Sequence, residues 1–301
     1  MQKALRWPTS RRAVLAVAAG SGALALCCAG VGEAEAARGN SPVVNYTALG
    51  DSYASAPGVA NQVDSVCARS DRNYPSLLAG EQHWALTDVS CSGATTANVS
   101  GPQDTVAPQL AGVTRATDVV SVTIGGNDIG FSEDLATCAG LTSSDPAGAP
   151  CKEHFTEDGT DQLAARVHQT GPKVAAVLHA IHHRAPHARV LVVGYPDLFP
   201  DDGVGCTSST VPLAAGDFAY LRDTEKTLNS MLARQARLAG ARYVDTYKKT
   251  IGHDMCRPDG QRWIEPLVTA PQVAPAHPNA EGERAMAAAV DRALSWALPR
   301  W

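Results

Sequence analysis

Asp118-Val119-Val120-Ser121-Val122-Thr123-Ile124-Gly125-Gly126-Asn127-Asp128 runs as a nearly unbroken series of β-branched and apolar residues into a glycine pair. A strand with one face in water would alternate apolar and polar residues. A continuous run instead fits a strand of a parallel sheet, covered on both faces. Gly125-Gly126 stops the strand and leaves Asn127-Asp128 just past its carboxyl end. Open α/β sheets place their chemistry there.

The same rhythm extends outward in both directions. Val43 to Leu49 reads as a strand ending at Gly50, Ala85 to Val89 as a second, Arg189 to Gly194 as a fourth closed by Tyr195-Pro196, and Arg242 to Val244 as a short fifth. Between them lie helical patterns. Tyr74 to Gln82 suits a helix. Val174, Val177, Leu178 and Ile181 stripe another that Pro172 could begin and that ends before Pro186. Leu221, Leu228 and Leu232 mark a third, and Met286, Val290, Ala293 and Ala297 a last one. Strands alternating with helices predict a three-layer α/β/α sandwich around a central, mostly parallel five-stranded sheet. Leu135–Thr160 and Pro196–Gly216 lack this rhythm and are rich in Gly, Pro, Ser, Asp and Thr. They read as disulfide-pinned surface excursions near the site. No Pro/Ser linker divides the chain after residue 36, so residues 37–301 are expected to form one domain.

Residues 1–36 read as a signal peptide. Lys3, Arg6, Arg11 and Arg12 precede an uncharged stretch from Ala13 to Gly32, and Ala34-Glu35-Ala36 is a small-x-small cleavage pattern. Ser10-Arg11-Arg12 before Ala13-Val14-Leu15 suits a twin-arginine signal, with an ordinary Sec signal as the alternative. Leu26 before Cys27, and Cys27 before Cys28, do not suit a lipobox. A retained membrane anchor is the lesser alternative to a secreted, extracellular protein, and no other stretch is long and apolar enough to span a bilayer. Net charge is −5, and cleavage would remove more positive than negative charge. No basic stripe follows the leader, so nucleic acid is not an expected partner, nor is stable membrane insertion. With 45% apolar and 18% charged residues the chain can bury a sizeable core. A monomer is expected.

Of the 8 cysteines, Cys27 and Cys28 leave with the signal. Cys67, Cys91, Cys138, Cys151, Cys206 and Cys256 remain, an even set in an exported chain, which implies disulfides; spacing alone leaves their pairing open. No C-x-x-C occurs among them, so zinc is not expected. His182, His183 and His187 suit a helix C-terminus better than a metal site. There is no P-loop, no G-x-G-x-x-G and no G-x-S-x-G elbow. Neither a metal nor a cofactor is called for.

The segments after the strands hold a coherent set: Gly50-Asp51-Ser52, Cys91-Ser92-Gly93-Ala94-Thr95 and Gly125-Gly126-Asn127-Asp128, with Ala276-His277-Pro278-Asn279 before the last helix. Together they supply a nucleophile, a glycine amide, a carboxamide donor and an imidazole, which acyl transfer requires. Each has a plainer reading on its own. Ser52 could cap a turn, Gly93 and Asn127 could serve tight turns, and His277 could merely precede a helix capped by Asn279. Asp51 reads as a turn residue rather than an acid. Four such segments in order outweigh those readings.

Tyr46-Thr47-Ala48-Leu49-Gly50-Asp51-Ser52-Tyr53 resembles the GDS(L) block of SGNH (GDSL-type) hydrolases. Cys91-Ser92-Gly93-Ala94, Gly125-Gly126-Asn127-Asp128 and His277-Pro278-Asn279 resemble that family's other three blocks, in the family's order. The six-cysteine layout and Gly252-His253-Asp254-Met255-Cys256 look like its secreted actinobacterial lipase and esterase branch. The resemblance implies a flavodoxin-like fold and a secreted carboxylic-ester hydrolase. In it Ser52 is the nucleophile and His277 the base. The oxyanion hole comes from the N–H groups of Ser52 and Gly93 and the side chain of Asn127. It also implies the pairing Cys67–Cys91, Cys138–Cys151 and Cys206–Cys256.

One departure stands out. Many members carry Asp three residues before the histidine, where this chain has Ala274. A backbone carbonyl is then expected to orient the imidazole, with Ala274 C=O as the candidate and a remote Asp as the alternative. His253 is the only other base considered. The expected substrate is a small-molecule or lipid ester. A carbohydrate deacetylase and a phospholipase are the alternatives within the enzyme class, and a catalytically silent cell-surface binding protein is the alternative outside it.

Overall fold

The computed structural model describes residues 43–295. The segment read as a signal peptide, and Ala297 of the last helical stripe, lie outside the described residues. In chain order the elements are β1 (Asn45–Gly50), α1 (Ser52–Ser55), β2 (Gln62–Asp64), β3 (Arg69–Ser70), α2 (Tyr74–Gln82), β4 (Ala85–Asp88), α3 (Thr96–Ser100) and β5 (Val119–Thr123). There follow α4 (Phe131–Leu141), α5 (Pro150–Thr156), α6 (Gln162–Arg184), β6 (Arg189–Val193), α7 (Asp217–Leu238), β7 (Arg242–Val244), α8 (Tyr247–Thr250) and α9 (Ala280–Ser295).

Five strands form one sheet in the order β4-β1-β5-β6-β7, and every neighbouring pair is parallel. In β1 only Asn45 is exposed, and β5 is buried throughout. Successive side chains point to opposite faces, so both faces are covered. The covering helices pack in pairs, α2 against α9 and α6 against α7. This is the α/β fold expected from the continuous strand runs. Counted in chain order, the five strands lie 2-1-3-4-5. The order reverses between β1 and β5, and ligands of open α/β sheets bind beyond the carboxyl ends at such a point. Ser52 follows β1, and Asn127 follows β5.

Gly50 makes that crossing tight. Its φ is +146°, and a Cβ there would lie 2.5 Å from the Thr123 carbonyl oxygen. Its peptide is clamped on both sides by Gln109, which accepts from Gly50 N–H at 2.8 Å and donates to Gly50 C=O at 2.9 Å. The α2 helix starts at an Asn73 cap that accepts from Ser76 N–H. Its first N–H, that of Tyr74, donates at 2.7 Å to the buried Glu283 carboxylate of α9. A helix end that would otherwise lack a partner is thus tied to the neighbouring helix.

Two expectations need correction. The helix striped by Val174 to Ile181 does not begin at Pro172. It begins at Gln162 under an Asp161 cap and carries Pro172 inside, because its buried stripe continues back through Thr170, Val167 and Leu163. The stretch Leu135–Thr160 is not irregular, since it holds the end of α4 and all of α5, a helix of 7 residues too short to show a clear apolar stripe. A small antiparallel hairpin, β2–β3, was also not anticipated; strands of three and two residues carry too little pattern to read.

Disulfides join Cys67 to Cys91, Cys138 to Cys151 and Cys206 to Cys256. The second staples α4 to α5, and the third ties the loop after β6 to the segment after α8. That third link spans 50 residues, so loop-closure entropy predicts about 4 kcal/mol of stabilisation. The double variant Cys206→Ser, Cys256→Ser should lose most of that in chemical unfolding. A loss below about 1 kcal/mol would show that the unfolded chain is not what this link restrains.

Candidate active site

Ser52 is the first residue of α1, so the helix itself leaves its N–H without a partner. Asp51 caps this helix, accepting from Tyr53 N–H at 3.0 Å. The Asp51 N–H donates in turn to Thr123 C=O at 2.9 Å. The serine is thereby held at the mouth between β1 and β5.

His277 comes from a position 225 residues later, and its Nε2 lies 2.7 Å from Ser52 Oγ. Its Nδ1 lies 2.6 Å from the carbonyl oxygen of Pro275. A carbonyl can only accept, so Nδ1 carries the hydrogen. In the neutral ring Nε2 is then an acceptor, facing the serine hydroxyl. The orienting carbonyl is therefore that of Pro275, not Ala274. The reason is local. Ala276 sits at φ +59° with its N–H held by Glu265 C=O at 3.1 Å. The chain turns sharply there, presenting the carbonyl two residues back, not three. The imidazole's second nitrogen thus goes to a carbonyl rather than to a remote Asp. Burial lowers the His277 pKa below its ordinary value, opposed by the bond to Pro275.

The ring is also fixed from the side. Tyr53 stacks on it with centroids 4.9 Å apart, and the Tyr53 hydroxyl donates to Ala276 C=O at 2.5 Å. Tyr195 packs edge-on against Tyr53 at 5.0 Å. Its hydroxyl donates to Asp51 Oδ2 at 2.5 Å and accepts from Gly126 N–H at 2.8 Å. Burial pushes the Asp51 pKa up to about 7, against the lowering by the hydrogen bonds from Tyr195 and Tyr53. Asp51 is a buried turn and cap residue, as expected, and makes no contact with the imidazole.

The Asn127 side chain donates one N–H to Ala94 C=O at 2.9 Å. A carboxamide has two such hydrogens, so one remains for a ligand. Asp128 clasps the neighbouring turn, accepting from Thr96 N–H at 2.8 Å and from the Thr96 hydroxyl at 2.5 Å. Gly93 sits at φ +78°, where a side chain would be strained. Ser92 N–H donates to Cys67 C=O and Ala94 N–H to Cys91 C=O. Among the described residues the N–H of Gly93 makes no such bond. Ser52, Asn127 and His277 line one pocket; Gly93 is not among its lining residues. His253 stands apart, stacked on Trp263 with centroids 3.5 Å apart.

The match to known proteins is broad. The family model of the GDSL-like lipase/acylhydrolase family covers residues 48–285. The chain belongs to that family. With it, the chain belongs to the serine ester hydrolases. It is 39% identical over 285 residues to Lipase 2 of Streptomyces coelicolor, covering 93% of this chain and 96% of that one. A crystal structure of an extracellular lipase from Streptomyces rimosus superposes with a TM-score of 0.70 at 31% identity, covering 83% of this chain and 100% of the other. One of phospholipase A1 from Streptomyces albidoflavus gives 0.71 at 27% identity, over 83% and 99%.

Several pocket residues escaped sequence reading. Tyr53 closes the first block, and an aromatic beside the candidate serine is a usable signal. Phe131, Leu135, Leu198 and Leu228 also line the pocket, and nothing distinguishes them in sequence from core residues. No described helix is long and apolar enough to cross a membrane, and no group of three or more metal-binding side chains is found among the described residues.

Proposed function

We propose that this protein is a secreted esterase or lipase that cleaves acyl esters through a Ser52–His277 dyad and an acyl-enzyme. The observation that carries this is the 2.7 Å contact of His277 Nε2 with Ser52 Oγ, with Nδ1 committed to a carbonyl. In the first half-reaction Ser52 Oγ attacks the ester carbonyl while His277 takes its proton. The tetrahedral oxyanion is met by the N–H groups of Ser52 and Gly93 and the free N–H of Asn127. Collapse expels the alcohol, which receives the proton from His277. Water then repeats the sequence on the acyl-enzyme. A carbonyl orients the imidazole but gives the imidazolium less charge stabilisation than a carboxylate would.

The apolar walls of the pocket suit an acyl chain, the likeness to the extracellular lipase from Streptomyces rimosus supports export, and the sequence pattern puts cleavage near Ala36. We take the working form as a monomer, with residues 37–301 as one domain. The likeness to phospholipase A1 favours glycerophospholipid acyl esters as a second reading.

The test is hydrolysis of p-nitrophenyl esters from acetyl to palmitoyl, across pH. Turnover is expected, and the chain-length profile separates esterase from lipase. His277 works as a base only when neutral. Its folded pKa lies below the ordinary histidine value of about 6.5, so kcat/KM should be level near neutrality and fall as pH drops through that lower pKa. Absence of turnover from folded protein would leave the binding-protein alternative, and an acid limb centred above pH 7 would remove His277 as the base.

A further inference from the structure

Glu225 is out of place in an apolar pocket. Besides the reacting groups, the pocket is walled by Phe131 and Leu135 of α4, by Leu198, and by Leu228 of α7. Glu225 lies three residues before Leu228, on the same face of α7, and is itself part of the lining. It is 1% exposed. One carboxyl oxygen, Oε2, accepts from Leu198 N–H at 3.3 Å. The other, Oε1, is buried with no hydrogen-bond partner.

No described cation pairs with it. The adjacent Lys226 pairs with Asp201 at 2.5 Å. The ionisable groups that face Glu225 are Asp197, Lys226 and Asp201, and Tyr53, Tyr243 and Tyr247 sense its charge. Asp197 is fully buried as well. Burial first, and then the Asp197 carboxylate, hold the Glu225 pKa well above the usual range. With no cation paired to it among the described residues, a carboxyl buried among apolar side chains favours its protonated form, which has an O–H to donate.

We propose that Glu225 determines acyl specificity: its carboxyl donates a hydrogen bond to an oxygen carried along the substrate's acyl chain, so oxygenated acyl groups (hydroxy, oxo or ether) are preferred over plain alkanoyl groups. This deepens the hydrolase reading above and rests on it. A plain alkyl chain leaves the buried Oε1 without a partner, as it is in the free protein, and so gains nothing from the carboxyl. An oxygen at that depth meets it. A site built to hydrogen-bond a substrate atom discriminates against analogues lacking that atom more sharply than an apolar pocket discriminates by size.

The experiment compares p-nitrophenyl alkanoates with matched oxa-alkanoates, in which one methylene at successive positions is replaced by oxygen. In the wild type one oxygen position should raise kcat/KM over its neighbours by about tenfold. Glu225→Gln, which still donates, should keep that preference. Glu225→Met should abolish it and improve plain alkanoates. A wild type with no positional preference, or a preference that survives in Glu225→Met, overturns the proposal.

A second measurement needs neither turnover nor a Glu225 variant: calorimetric titration of matched alkyl and oxa-alkyl methyl ketones into Ser52→Ala. A positional preference in binding without ester turnover in the wild type would sink the hydrolase reading while showing that the pocket still selects oxygenated chains. Ser52-dependent turnover with no positional preference in either measurement would do the reverse.

Discussion

Replacing Ser52 with alanine should lower kcat by about 10⁵-fold while leaving the fold intact. The side chain removed is small and lies at the first turn of α1, so unfolding midpoints should hardly move. His277→Ala should cost nearly as much, because a serine hydroxyl is a poor nucleophile until Nε2, 2.7 Å away, takes its proton. The two groups act in one step. The double variant should therefore be no slower than the worse single variant, retaining the residual rate that donors and binding supply. A serine-reactive phosphonate should label the wild type and not Ser52→Ala. Additive losses in the double variant, or labelling that persists without Ser52, would place the nucleophile elsewhere.

Asn127→Ala should lower kcat by about 10²–10³-fold with KM little changed, since a donor to the oxyanion is used only in the transition state. Asn127→Asp keeps the shape of the side chain but sets a carboxylate where negative charge develops, so its loss should be at least as large. Because the Asn127 amide also holds Ala94 C=O, both variants need an unfolding curve beside the kinetics. A loss confined to KM, or an aspartate variant as active as wild type, would take Asn127 out of the oxyanion hole.

Most of the sheet was legible because its strands are buried on both faces. Val119–Thr123 is buried at every position and Arg189–Val193 at every position but Arg189, and the resulting runs of β-branched and apolar residues do not alternate as amphipathic surface strands do. The helices whose one stripe faces the sheet were legible for the same reason. The start of α6 was misplaced because proline is a strong stop signal in isolation, yet a long helix anchored along its buried stripe can hold Pro172 in its interior. The end of α4 and all of α5 carry too little pattern to read as helix, and a disulfide stabilises their pairing.

Glu225 shows the limit from the other side. It falls on the stripe of Leu221, Leu228 and Leu232, four residues after the first and three before the second, so its burial was inferable from helical periodicity. A lone glutamate on a helix is nevertheless read as solvated, because burying a carboxyl is costly unless something meets it. What it faces is a matter of which other elements arrive, and Leu198 and Phe131 come from elsewhere in the chain.

By itself the sequence determined the order of the five sheet strands and the helices that cover them, the presence of a serine, a glycine and an asparagine past strand ends with a histidine before the last helix, and the family to which these segments belong. Those are properties of short stretches, set by local steric preference and by the period of apolar residues. The tertiary structure alone decided which carbonyl orients His277, how Tyr53, Tyr195 and Asp51 hold the site, that Gly93 stands outside the pocket lining, and what walls the pocket. These depend on contacts between residues far apart in the chain, such as the 225-residue span from Ser52 to His277. Hydrogen bonds require placement to within a few tenths of an ångström. That placement is set by the packing of whole elements and by single backbone angles such as φ at Ala276, which no local pattern encodes.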